Sequence, residues 1–129
     1  MSHPNERLIR DAYAAFARGD FDGYLSSCTP DFTFNVPGKS AMSGSYKARD
    51  GFMVLVGKVG QITAGNFDEV VHDVLANDTH GVVLAVHKLT RDGKAYEYRT
   101  AHVYEIRNGK LAECWEQPQD QASFEAAWG

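Results

Sequence analysis

Two dipeptides, Asp92-Gly93 and Asn108-Gly109, constrain this chain more than any other feature of its sequence. Each separates long runs of alternating apolar and polar residues. Asp-Gly and Asn-Gly suit a two-residue hairpin turn in which both positions take positive φ. A turn of that kind sets the strand register, and the register decides which side chains stand opposite one another. Closing Asn108-Gly109 places Arg107 against Lys110, Ile106 against Leu111, Tyr104 against Glu113 and His102 against Trp115. Closing Asp92-Gly93 places Leu89 against Tyr96, His87 against Tyr98 and Val83 against His102. One face then carries His87, Tyr98, Thr100, His102, Tyr104, Trp115 and Gln117 among aliphatic residues. The other carries Lys88 beside Glu97, Val86 beside Arg99 and Val103 beside Cys114. An aromatic, apolar face bearing two histidines fits the lining of an enclosed pocket. The mixed face suits solvent or, in part, a sheet-to-sheet contact between two copies of the chain.

Helical patterns precede these strands. Leu8, Ile9, Ala12, Tyr13 and Phe16 recur at three- and four-residue spacing, with Pro4 in a first turn and Gly19 as the stop. Asp20 is placed to cap a second helix with the stripe Phe21, Tyr24, Leu25 and Cys28, broken by Thr29-Pro30-Asp31. Phe32, Phe34 and Val36 alternate as a strand up to Pro37-Gly38, and a loop through Met42 and Tyr46 follows. Asp50 can cap a third helix from Gly51 to about Val59. From Gln61 onward the pattern is of long strands, with a further turn at Asn77-Asp78, and Ala122, Phe124, Ala126 and Ala127 suggest a short terminal helix. The expected architecture is α+β in a single domain, residues 1–129, with three N-terminal helices packed on a strongly bent antiparallel sheet. If the sheet curves, a pocket lies between the two layers.

Composition narrows the function classes. A net charge of -4 without a basic patch argues against nucleic-acid binding. The longest apolar run, roughly residues 51–56, is far below the ~20 residues of a membrane span. Met1 to Glu6 lacks the basic start and apolar stretch of a leader peptide, and Cys28 and Cys114 lack any metal-binding or redox spacing, so a cytoplasmic protein with reduced thiols is expected. No glycine-rich phosphate loop, serine elbow or Cys-His signature is present, so no cofactor is expected. His72, His87 and His102 raise the question of a metal, since neighbouring strands can bring three imidazoles together. No carboxylate joins them at ligand spacing, and no metal is expected.

Three stretches carry a family resemblance: Tyr13-Ala-Ala-Phe16-Ala-Arg-Gly19-Asp20-Phe21, Thr29-Pro-Asp31-Phe-Thr-Phe34, and His102-Val-Tyr-Glu-Ile-Arg-Asn-Gly109-Lys-Leu111-Ala-Glu113-Cys-Trp115. Together they resemble the SnoaL-like group of the nuclear transport factor 2-like superfamily, which includes polyketide cyclases and, more distantly, ketosteroid isomerase. The resemblance implies a cone-shaped α+β barrel of the cystatin-like kind with a hydrophobic pocket, commonly as a homodimer. It also implies that His102 matches the pocket histidine of the cyclases, and that Asp120 corresponds to their acid/base aspartate.

Each candidate has a bland alternative. His102 is a general acid/base, or a buried histidine packed on Trp115. Asp120 exchanges protons with it, or caps the terminal helix. Asn35 donates to a ligand carbonyl, or ends a strand, and Tyr13 donates through its hydroxyl, or is core. His87, Tyr98 and Trp115 are expected to line the ligand pocket, with Phe16, Phe32 and Phe52 as core and wall. The leading expectation is cofactor-independent proton transfer on a small, apolar, carbonyl-bearing molecule, as an isomerase, cyclase or dehydratase. Its alternative is a non-catalytic binding or dimerisation module on the same fold.

Overall fold

A computed structural model describes residues 3–129; Met1 and Ser2, the start of the segment read above as no leader, lie outside the described residues. The order of elements is α1 (Pro4–Ala17), α2 (Phe21–Ser26), β1 (Cys28–Val36), β2 (Gly44–Lys47), α3 (Ala48–Thr63), β3 (Phe67–Ala76), β4 (His80–Arg91), β5 (Lys94–Arg107), β6 (Lys110–Pro118) and α4 (Gln121–Trp128). The strands form one six-stranded sheet in the order β2-β1-β6-β5-β4-β3, curled but not closed. The α+β class and the helices-then-sheet plan are as expected.

Local chemistry explains the first helices. The His3 ring caps α1 by accepting from the Asn5 amide at 3.0 Å, Pro4 stands at its first position, and Gly19 follows its end with φ +77°. The Asn5 side chain donates to the Asn77 carbonyl at 3.0 Å and so ties the helix start to the β3–β4 turn. Asp20 caps α2 through the Gly23 amide at 2.8 Å. Ile9, Ala12, Tyr13 and Tyr24 point from these helices into the core with Phe32, Phe52, Val83, Tyr104 and Leu111. Full burial of side chains of this size stabilises by roughly 1.5–3 kcal/mol each.

Several expectations are corrected. Cys28 does not close the stripe of α2; it opens β1, and Pro30 falls in the stretch between Cys28 and Thr33 where pairing with β6 is interrupted. A proline there forfeits no ladder bond. The sheet is not wholly antiparallel, because β1 lies parallel to β6, a non-neighbour in sequence whose pairing no turn announces. The segment through Met42 and Tyr46 contains β2, which pairs with β1. The third helix begins at Ala48 and continues to Thr63, with Asp50 inside its first turn, where a carboxylate favours the helix dipole, rather than at its cap. Of its glycines, Gly51 has a reason in packing: a Cβ there would lie 2.7 Å from the Tyr46 carbonyl carbon, so only glycine allows α3 to cross β2 this closely.

Both hairpin turns form as read. Asp92 and Gly93 have φ +53° and +77°, and Asn108 and Gly109 +50° and +72°. Across the first turn every expected pair holds: Leu89 with Tyr96, His87 with Tyr98, Val83 with His102. Across the second, Arg107 faces Lys110 and Ile106 faces Leu111, but Glu105 then faces Glu113. Ala112 is therefore an extra residue, a bulge that reverses the face of everything after it. The Leu111 amide turns to the Ser27 carbonyl at 2.8 Å, and Lys110 Nζ reaches the Ser26 carbonyl at 2.8 Å, anchoring the bulge to the end of α2. Tyr104 thus faces Cys114, His102 faces Glu116, and Trp115 sits opposite Val103 on the outer face. No helix among the described residues is long and apolar enough to cross a membrane.

Candidate functional site

The concave face of the sheet and the helices enclose an apolar cavity of about 70 Å³ that opens at one mouth to solvent. Tyr13 and Phe16 of α1, Phe34 and Val36 of β1, and Phe52 and Leu55 of α3 form its walls. Phe124 and Trp128 of α4 also line it, and the sheet side supplies Glu69, His87, Tyr98, His102 and Glu116. Apolar walls with a few convergent polar groups are the composition common among small-molecule sites.

The polar groups form two connected chains. In the first, Glu116 accepts from Thr100 Oγ1 through one carboxylate oxygen and lies 2.9 Å from His102 Nε2 through the other. His102 Nδ1 lies 2.5 Å from the Tyr13 hydroxyl, which is 2.6 Å from the Tyr104 hydroxyl, itself 2.8 Å from that of Tyr24. In the second, Glu69 Oε2 lies 2.5 Å from His87 Nε2, and His87 Nδ1 lies 2.8 Å from the Tyr98 hydroxyl, which accepts from Trp128 Nε1 at 2.8 Å. The chains meet where Glu69 Oε2 approaches His102 Nδ1 at 3.8 Å, with the two imidazole centroids 5.3 Å apart. Among the described residues no buried side-chain nitrogen or oxygen is left without a partner.

The electrostatics follow from burial and pairing. Burial works against a charged Glu116, yet the adjacent His102, helped by His87 and the Thr100 hydroxyl, brings its carboxyl down to about 2. Burial likewise works against a charged His102, and the carboxylates of Glu116 and Glu69 outweigh it, raising the imidazole to about 9. Glu69 is lowered in spite of burial by the charge and hydrogen bond of His87 and by His102. The pocket is therefore built around a buried ion pair. Burial pushes the phenols of Tyr13, Tyr24 and Tyr104 well up, so they act as neutral hydrogen-bonding groups. Cys28 and Cys114 are buried and unpaired, and burial raises both thiols, Cys28 to about 12.

The structure brings together Tyr13, His87, Tyr98 and His102 of the expected site. It does not bring Asp120 there: its exposed carboxylate caps α4, accepting from the Ala122 amide at 3.2 Å and the Ser123 hydroxyl at 2.6 Å. The carboxylate that partners His102 is Glu116. Asn35 points outward, donating to Glu113 at 2.8 Å and accepting from Ser45 at 2.7 Å, because its neighbours Phe34 and Val36 take the inner face. Trp115 is carried to the outer face by the Ala112 bulge and neither packs on His102 nor lines the cavity. His72 is exposed at a second bulge, in β3, so the three-histidine cluster does not form. Glu69 stands there instead, directly across from His87. Glu116 and Glu69 are the residues sequence reasoning missed. For Glu116 the alternation gives no signal, because the Ala112 bulge exchanges the faces beyond it; for Glu69, one lies in the alternation of Phe67, Glu69 and Val71.

Comparison with known proteins agrees with this fold. Residues 9–114 match the SnoaL-like domain. Uncharacterised proteins of Mycobacterium bovis and Mycobacterium tuberculosis are each 33% identical over 123 residues, covering 94% of this chain and 93% of theirs. Among solved structures, Bal32a from a soil-derived mobile gene cassette superposes with a TM-score of 0.91 at 26% identity, over 98% of this chain and 97% of that one. TerC, co-crystallised with polyporic acid, gives 0.85 at 22% identity over 97% and 98%. The last likeness is one of fold alone.

Proposed function

The chain belongs to the SnoaL-like domain family, and on that premise we propose that it moves a proton on a small, apolar, carbonyl-bearing molecule held in the cavity, as an isomerase, cyclase or dehydratase does. The observation that carries this reading is the unbroken run Thr100–Glu116–His102–Tyr13, which reaches the cavity wall at Tyr13. With His102 Nδ1 and Tyr104 both donating to the Tyr13 oxygen, the Tyr13 O–H is left to meet a ligand oxygen. Charge developing on that oxygen is then stabilised by a phenol backed by an imidazolium, in surroundings where water does not compete. The proton leaving the adjacent carbon passes to the Glu69–His87 couple and returns to the product from it, so the step needs no other reactant.

Deuterium exchange tests this without knowledge of the natural substrate. In D2O, the protein is incubated with apolar enolisable ketones, and incorporation beside the carbonyl is followed by NMR. Catalysed exchange is expected, with a loss of about 100-fold in His102→Gln and in Tyr13→Phe once near-ultraviolet circular dichroism has confirmed their fold. Exchange at the parental rate in both variants would defeat the assignment. Ketone binding without exchange would favour a sequestering pocket.

We also propose a homodimer through the outer face of the sheet. Val103 and Trp115 lie there half-buried in the single chain, and Val70 is 41% exposed. Sedimentation equilibrium should return twice the 14.3 kDa chain mass, and Trp115→Arg should restore the single mass. A monomer at the highest attainable concentration contradicts the dimer.

A further inference from the structure

The geometry points to a binding site for one divalent transition-metal ion at Glu69, His87 and His102. One carboxylate oxygen and two ring nitrogens lie within 4.8 Å of one another. Glu69 Oε2 is 2.5 Å from His87 Nε2 and 3.8 Å from His102 Nδ1. Ligands about 2.0–2.1 Å from a common ion stand roughly 3 Å apart, a spacing these distances bracket. The donors come from three adjacent strands, β3, β4 and β5, whose mutual register is set by pairing rather than by a loop. All three side chains line the open-mouthed cavity, so an ion has a route in and room for further ligands.

A second, independent feature is what holds the far side of each ring. His102 Nε2 is engaged by the buried Glu116 carboxylate, and His87 Nδ1 by the Tyr98 hydroxyl, which Trp128 fixes in turn. A ligating imidazole needs such an outer partner, which sets the nitrogen presented to the metal and raises its basicity. Two imidazoles and one carboxylate, with no thiolate among them, select zinc, iron(II), cobalt or nickel rather than calcium or magnesium. Binding would displace the bridge between Glu69 and His87 and the bond between His102 and Tyr13. An ion and the proposed proton transfer therefore exclude one another, and metal loading would silence the metal-free activity. Only that consequence rests on the proton-transfer reading; the binding itself does not.

Chelator-treated protein is titrated with zinc by calorimetry and with cobalt by visible absorption, without any organic ligand. One ion per chain is expected. Affinity should fall at least 100-fold in Glu69→Gln and His87→Gln, and about 10-fold in Tyr98→Phe, which loosens only the outer partner. Tyr13→Phe removes the group that competes for His102 Nδ1 and should bind as tightly or more so, whereas the proton-transfer reading expects that variant to be impaired. In the wild type, cobalt should broaden the ring resonances of His87 and His102, not those of His3, His72 and His80; this remains decisive if a variant fails to fold. Binding below one ion per chain, undiminished binding in the glutamate and histidine variants, or broadening confined to the other histidines would overturn the site. Exchange activity of metal-free protein reports separately on the proton chemistry.

Discussion

Replacing Glu116 by alanine is expected to lower folding stability by about 3–5 kcal/mol, read as a fall in the urea midpoint at unchanged slope. Glu116 is 7% exposed and His102 4% exposed, so their pairing is not shared with water. Removing the carboxylate leaves the imidazole with Glu69 at 3.8 Å as its remaining acidic neighbour, and leaves the Thr100 hydroxyl without its acceptor. Either His102 stays charged in an apolar wall or it loses its proton, and both outcomes are less stable than the intact pair. Glu116→Gln preserves shape and an acceptor for Thr100, and should cost about half as much. A double-mutant cycle with His102→Gln separates coupling from simple loss of packing: a coupling energy of at least about 1 kcal/mol is expected. Additive losses would mean that the two residues do not stabilise one another.

That same pair shows where legibility in the sequence ends. The Asp92-Gly93 turn alone places His102 on the inner face, opposite Val83, because β4 and β5 run from that turn without a bulge. No turn places its partner, because the Ala112 bulge intervenes within β6 and exchanges Trp115 for Glu116. Period-two reasoning has no protection against one inserted residue, and a tryptophan reads as the more natural inward residue. Glu69 is a harder case, since its register depends on the turn after Ala76 and on the bulge at His72 together. Asn35 is different: the inward alternation of Phe32, Phe34 and Val36 already implied that it faces out. The sequence offers Asp120 two roles, and the local one prevails, as short-range hydrogen bonds to residues two and three positions on require no tertiary arrangement. The fold is thus readable across the β4–β5 turn, where pairing runs without a bulge, and less so at β2, at the bulges of β3 and β6, and where β1 meets β6.

Phe52 offers the sharpest test of whether the aromatic residues wall a cavity or fill a solid core. It is 2% exposed, stacks on Tyr24 with ring centroids 4.9 Å apart and planes 7° from parallel, and meets Phe16 and Phe21 edge-on at 6.4 Å. Phe52→Ala is expected to cost about 3–5 kcal/mol, the sum of lost transfer energy, lost ring contacts and the void that remains. The lower end is expected, because Phe52 also borders the existing cavity, and the space it vacates joins that cavity instead of becoming a sealed hole. This gives the variant a second signature that a core residue would lack. The enlarged pocket should bind a bulkier apolar fluorophore more tightly than the parent does, while Phe124→Ala opens the wall beside Tyr98. Phe52→Leu, which refills most of the volume, should recover more than half of the lost stability and abolish the gain in binding. If Phe52→Ala loses stability with no change in fluorophore affinity, the aromatic cluster is packing for the fold, and the cavity that matters for a ligand ends short of α3.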